Sequence, residues 1–236
     1  MELTPAHLNR ATLARQSLLG RAALSVVDGI RRVVGLQAQE PASPYIALWN
    51  RLEGFDPADL DAAFAGHAVV KATLMRITLH AVAAEDHPAL HAAMLPNLRA
   101  SRLGDKRFTG PGLTVADADA ALPRLLEHVG EPRTKDEIEA LFLDEHGEEA
   151  SPWLWWALRT FAPLVHAPRG APWSFDTRKA YRAAPPPQGA PPDHESGVEH
   201  LVVRYLEAFG PATIADVGQF ALLQRAKVRA AVERLG

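Results

Sequence analysis

The chain has 236 residues, 47% of them hydrophobic and 22% charged, a formal net charge of −3 and no cysteine. That length holds one large domain or two to three small ones. The lack of cysteine excludes disulfides, thiolate metal sites and a cysteine nucleophile; no apolar run is long enough for a membrane span, and no signal-peptide pattern opens the sequence.

The net charge argues weakly against a nucleic-acid binder until its distribution is read. Residues 1–51 carry six arginines against Glu2, Asp28 and Glu40, and residues 159–182 carry five basic residues against Asp176 alone. Acid is concentrated in 117–149, with eleven Asp and Glu against three basic residues. Such polarity permits a basic binding face on a mildly acidic protein.

In chain order, Thr4-Pro5 opens a first helix, with threonine as N-cap and proline at the first helical position. A second helix is expected over 25–35, a third over 44–52 and a fourth over 58–66, the last capped by Asp56. Residues 68–83 are rich in β-branched residues and lack a helical period, so they read as one strand. On such a strand Arg76, Thr78 and His80 share one side, where a guanidinium, a hydroxyl and an imidazole can line a cleft used by phosphodiester and sugar. A half-buried sheet facing water gives the same pattern. Residues 85–101 return to a helix, bent near Pro96.

The next block repeats this order more clearly. Helices are expected over 117–129, over 135–146 with Thr134 and Glu137 as a capping box, and over 153–161 behind Ser151-Pro152. Residues 164–166 and 173–175 then read as the strands of a hairpin. Three helices followed by a β-ribbon is the winged helix arrangement. A proline-rich stretch follows, and helices over 200–209, 213–223 and 225–235 close the sequence without a second ribbon. The expected fold is thus mainly α with small β wings, in tandem winged helix modules: 1–105, 106–182, a linker over 183–195, and 196–236 as a third module lacking its wing. A truncated piece of a longer protein is expected.

Several candidate chemistries lack support. No phosphate-cradling glycine loop, zinc-protease helix motif or nucleophile elbow occurs. His87 and His91 lie one helical turn apart, but no further ligand stands at a characteristic spacing, and exposed helix histidines are common. Trp153, Trp155, Trp156 and Phe161 can stack bases, yet on an amphipathic helix such a cluster is more often core. Arg169, Arg178 and Lys179, at and beyond the ribbon tip, suit phosphate contacts as well as they suit a solvated hairpin. Gln37 and Gln39 flank one small residue. On extended backbone their amides point to the same side and concentrate donors and acceptors at one spot, although on spacing alone solvated or cap-forming glutamines are the commoner explanation.

The opening Leu3-Thr4-Pro5-Ala6, the block from Val34 through Gln37-Ala38-Gln39-Glu40-Pro41 to Arg51, and Leu74-Met75-Arg76-Ile77-Thr78-Leu79-His80 together resemble the AlkZ-type (AlkZ/YcaQ) winged helix DNA glycosylases. Phe209-Gly210-Pro211-Ala212-Thr213 is similar to the start of that family's third winged helix. The resemblance implies hydrolysis of the N-glycosidic bond of N7-alkylated guanine, sometimes within interstrand crosslinks, with Gln37 and Gln39 as catalysts. It implies alkylated or crosslinked double-stranded DNA as partner, for which Arg76, Thr78, His80, Arg169, Arg178 and Lys179, read above from their own placement, are the candidate contacts. No metal, cofactor or membrane partner is expected, and the protein is expected to be a cytoplasmic monomer. No lysine stands in the motif, which disfavours a bifunctional lyase, although Lys71 lies nearby in sequence. Two rival expectations remain: a winged helix regulator without catalysis, and a paralogue that binds damaged DNA without excising.

Overall fold

A computed structural model describes residues 4–170, 173–176 and 178–236. The chain runs α1 (Pro5–Arg15), α2 (Val26–Arg31), β1 (Leu36–Gln37), α3 (Ser43–Trp49), α4 (Pro57–Ala65), β2 (Val69–Thr73), a 3-10 turn (Met75–Ile77), β3 (Leu79–Ala83), α5 (His87–Leu103) and α6 (Lys106–Thr109). It continues through α7 (Val115–His128), β4 (Arg133–Thr134), α8 (Lys135–Phe161), β5 (Leu164–His166), β6 (Ala180–Ala183), α9 (His194–Phe209), α10 (Ile214–Ala221) and α11 (Arg225–Leu235). The protein is mainly helical, with two small antiparallel sheets ordered β1-β3-β2 and β4-β6-β5. No helix among the described residues is long and apolar enough to cross a membrane.

Local chemistry starts most helices where the sequence marks them. Thr4, Thr114, Thr134 and Thr213 each accept a hydrogen bond from the backbone N–H three residues on, and each is answered by the side chain there in a capping box. Asp56 caps α4 as expected. Other boundaries differ. The second helix stops at Arg31, four residues before Gly35. In α5, Pro96 lies inside the helix. The stretch expected as two helices is α8, whose break falls at Gly147 (φ 74°) rather than at Ser151-Pro152. Ser151 lies inside the helix and donates its hydroxyl to the Gly147 carbonyl at 2.7 Å. The helix expected from residue 200 begins at His194, because Asp193 accepts from the Ser196 N–H at 2.8 Å.

Two β expectations are corrected. Residues 68–83 form a hairpin, β2 and β3, joined by the 3-10 turn, in which Met75 is buried and Arg76 (φ 53°) and Ile77 (φ 58°) are left-handed. Both Leu74 and Met75 are fully buried, so the alternation that suggests a strand is here a turn packed into the core. The partner of β5 is β6, not residues 173–175. Trp173 (φ 70°) and Ser174 (φ 48°) depart from strand geometry, and Ala171 and Pro172 of the expected tip lie outside the described residues.

A large core gathers Leu98, Phe108, Leu125, Phe142, Trp155 and Leu201 and reaches Val70, Ala72 and Val82 of the first sheet. A smaller one packs Ile30, Leu48, Leu60 and Phe64 under Leu36 and Ala38. Trp155 is wholly internal, edge-on to Tyr181 at 4.8 Å, while Trp153 and Trp156 pack against the core from its margin. His87 is buried and His91 half-buried, with rings stacked at 5.7 Å and His91 bonded to the Phe161 carbonyl at 2.9 Å. They belong to the packing, not to an exposed helix face.

Helices α5 and α9 pack closely against each other. A Cβ on Gly197 would meet the Ala89 carbonyl oxygen at 2.6 Å and the Ala93 nitrogen at 2.7 Å, so the two helices approach backbone to backbone. Gly197→Ala is expected to destabilise the protein by about 1–3 kcal/mol, because neither obstacle is a side chain that can turn aside. A chemical-denaturation midpoint equal to that of the parent protein would contradict this packing.

Candidate active site

The site grows from β1. Leu36 and Ala38 are buried, and Gln37 and Gln39 between and beyond them are exposed, as an extended chain demands. Gly35 lets this strand approach β3: a Cβ there would stand 2.7 Å from Val82 Cγ1. Register then pairs Leu36 with Ala81 and Gln37 with His80, and the Ala38 N–H donates to the Leu79 carbonyl at 2.8 Å. The small residue between the glutamines is therefore anchored in the core while both amides emerge together. Gln37 Nε2 donates to Gln39 Oε1 at 2.7 Å. Gln37 Oε1 and Gln39 Nε2 retain acceptor and donor capacity of their own.

Gln39 opens onto a cavity of about 370 Å³ between the two sheets. Lys71 and Leu79 of the first sheet form one wall, and His166, Phe175 and Lys179 stand opposite, with Arg169 and Arg178 at the same cavity. A second cavity of about 180 Å³ shares Leu79, His166 and Lys179 with the first and adds Arg102 and Arg159. The cleft is basic, with Glu40 and Asp176 as the acids lining the larger cavity. Asp176 stands 4.0 Å from Arg169 and accepts from the Arg178 N–H at 2.7 Å, and so helps shape the loop.

The loop that carries this wall is held by the first half of the chain. Tyr45 on α3 and Ser174 both donate to the same oxygen of Asp61 on α4, each at 2.5 Å. Trp173 packs edge-on to Tyr45 at 4.7 Å, and Phe175 edge-on to Phe64 at 4.8 Å. Burial and the Asp61 carboxylate push the Tyr45 phenol well above its ordinary range, so it remains a donor.

Of the residues expected at the site, Gln39, Arg169, Arg178 and Lys179 line one cavity and Gln37 is bonded to Gln39. Arg76, Thr78 and His80 do not share a strand face. Arg76 turns to α10, donating to the Phe220 carbonyl at 2.9 Å and lying over the Phe220 ring. Thr78 closes the turn by donating to the Met75 carbonyl at 3.1 Å. His80 is buried, with Nδ1 3.0 Å from the Thr78 carbonyl oxygen. Burial, opposed by that backbone bond and aided by the Arg76 charge, lowers the His80 pKa to about 4. The ring is therefore neutral near pH 7.

Sequence reasoning missed Arg102, Arg159, His166, Phe175 and the Tyr45–Asp61–Ser174 cluster. Lys71 did carry a signal, as a lone charge inside the apolar run Val69-Val70-Lys71-Ala72. Burial, then the charge of Lys179, bring its pKa down to about 8 against the opposing pull of Glu40. Burial and the charges of Lys71 and Lys179 bring His166 down to about 3.

A family model for AlkZ-like DNA glycosylases matches residues 30–236. The chain belongs to the AlkZ-like DNA glycosylase family. Among solved structures it is similar to the Streptomyces sahachiroi DNA glycosylase AlkZ, with a TM-score of 0.83 and 21% identity over 100% of this chain. At that identity the likeness is one of fold, and this chain spans 66% of the length of that structure. Among curated proteins nothing matches. Among the described residues of this family member, no group of three or more His, Asp and Glu is placed to hold a metal ion.

The Asp61 cluster generates a direct test. Asp61→Ala leaves two buried hydroxyls without their acceptor and is expected to cost about 2–4 kcal/mol. It is also expected to speed proteolysis around residues 167–179, whereas Asp61→Asn, which keeps an acceptor oxygen, is milder in both assays. Identical cleavage rates in all three proteins would contradict the attachment.

Proposed function

We propose that this protein is a monofunctional DNA glycosylase that hydrolyses the N-glycosidic bond of N7-alkylated guanine in double-stranded DNA, including guanines held in interstrand crosslinks. The observation that carries this reading is the hydrogen-bonded pair Gln37 and Gln39 at the rim of a basic cleft in a member of the AlkZ-like family. The order helix, strand, helix, helix, strand, strand occurs over α2–β3 and again over α7–β6, with α8 broken at Gly147. It supports two tandem winged helix modules, over about 1–105 and 106–182, followed by a proline-rich linker and a third set of helices. Arg169, Arg178 and Lys179 are assigned to phosphate contacts beside the glutamines. Arg76 and Thr78 are assigned to contacts farther along the duplex, and His80 to support beneath β1.

Amides suit this reaction because the lesion does most of the leaving. N7-alkylation puts positive charge on guanine, so the base departs with the electron pair of the C1′–N9 bond and needs no proton from the enzyme. What remains is to place a water and to stabilise an oxocarbenium-like sugar, which oriented dipoles achieve. The Gln37 and Gln39 carbonyl oxygens hold the water, whose oxygen bonds to C1′ while its proton passes to solvent. A neutral amide is a poor general base. The enzyme is thereby confined to cationic lesions and spares undamaged bases. An open cleft also admits a crosslinked guanine, which cannot be swung fully into an enclosed pocket.

Incubation with duplex containing 7-methylguanine is expected to release free base from the parent protein. Gln37→Ala or Gln39→Ala should each lower the single-turnover rate by about 10²–10³-fold. Tight sequence-specific binding to an undamaged operator, with no base released from alkylated duplex, would replace this reading with that of a regulator.

A further inference from the structure

Lys71 has no part in the hydrolysis above, yet its setting is unusual for a lysine. It lies in the middle of β2, only 4% exposed, in a strand otherwise made of apolar and small residues. Its ammonium stands 4.6 Å above the Phe175 ring. Lys71 also lines the same cavity as Gln39. Strand register puts Leu36, Ala81 and Lys71 in one row across the sheet, whose side chains leave the face opposite to that of Gln37, so Lys71 meets the glutamine pair only through the cavity it shares with Gln39 beyond the end of β1. The lysine backbone lies on the order of 10 Å from β1, two strand spacings away.

A lysine that only gathers phosphate is a hydrated point charge on a flexible stem, as Lys179 is at the rim. Lys71 is instead held against an aromatic face, desolvated and beside a second positive charge. With its pKa brought down to about 8, chiefly by burial, more of it is free amine near neutral pH than of an ordinary lysine. These are the conditions that activate a lysine toward carbonyl carbon.

We propose that Lys71 is an amine nucleophile that captures the aldehyde of an abasic deoxyribose in this cleft as an imine. The proposal draws on the excision reading only for the origin of that aldehyde. Nζ bonds to C1′ of the ring-opened sugar, the carbonyl oxygen takes up two protons and leaves as water, and a C=N bond remains. No oxidant or reductant is needed, and water reverses the step. The imine holds a reactive product on the protein after the base has gone. It follows hydrolysis and is separate from it.

The test starts from a duplex in which the abasic site is already present, so that base excision is not required. The full chain is incubated with that duplex and borohydride, whose hydride reduces the imine to a stable secondary amine. A covalent protein–DNA adduct mapped by mass spectrometry to Lys71 is expected. Lys71→Arg and Lys71→Met should lower its yield at least tenfold while melting as cooperatively as the parent, and Lys227→Arg, on α11, which lines neither cavity, should retain it. No adduct, an adduct mapped to Lys179 or to the N-terminal amine, or an undiminished yield in Lys71→Arg would overturn the proposal. Base release from 7-methylguanine duplex without any adduct would remove only the role of Lys71. An adduct without base release would leave that role standing and remove the excision reading.

Discussion

The pairing of β1 with β3 is the constraint on which the site depends. Two residues of strand, Leu36 and Gln37, are enough because Gly35 removes the side chain that would collide with Val82, and Ala38 continues the contact through its N–H to Leu79. Burying Leu36 and Ala38 obliges Gln37 and Gln39 to face outward. A one-residue slip would put both amides in the core and two apolar side chains in water, so register and chemistry are fixed by the same packing. Gln37 is thus pre-positioned by the strand, and Gln39, in the bend just beyond it, by the buried Ala38 and by its bond to Gln37.

The opposite wall is built differently. It comes from the connection between β5 and β6, and it is secured by side chains reaching to α3 and α4 of the first half: a shared carboxylate oxygen on Asp61 and two edge-on aromatic pairs. Cleft width is set by these few contacts, together with β2 lying against β5. Desolvation in the cleft acts on Lys71 and His166 in the same chemical direction: both are shifted toward their neutral forms, the amine part-way and the imidazole fully near pH 7.

Much of the site was legible because it is local. Gln-x-Gln on extended backbone, the threonine capping boxes and the basic bias of 159–182 each need only a few consecutive residues. The errors arose where long-range packing overrides pattern. The alternation of residues 68–83 fits a strand, yet Leu74 and Met75 are buried in a turn whose left-handed residues, Arg76 and Ile77, are not glycines. Residues 173–175 fit a β-strand by composition, but Ser174 bonds to Asp61, 113 positions away, and nothing in the local sequence marks that partner. Lys71 shows the intermediate case. Its charge within an apolar strand is visible in the sequence, while the ring above it and the cavity beside it are not.

Single-turnover excision of 7-methylguanine as a function of pH tests the central claim most directly, because the catalysts assigned here do not titrate. Glutamines carry no proton to lose, and His80, lowered to about 4, is neutral throughout the useful range. A rate constant that stays flat between about pH 5.5 and 7.5 is predicted. A bell or a slope of one in that window would reveal an ionising acid or base at the reacting bond and would contradict catalysis by the Gln37–Gln39 pair.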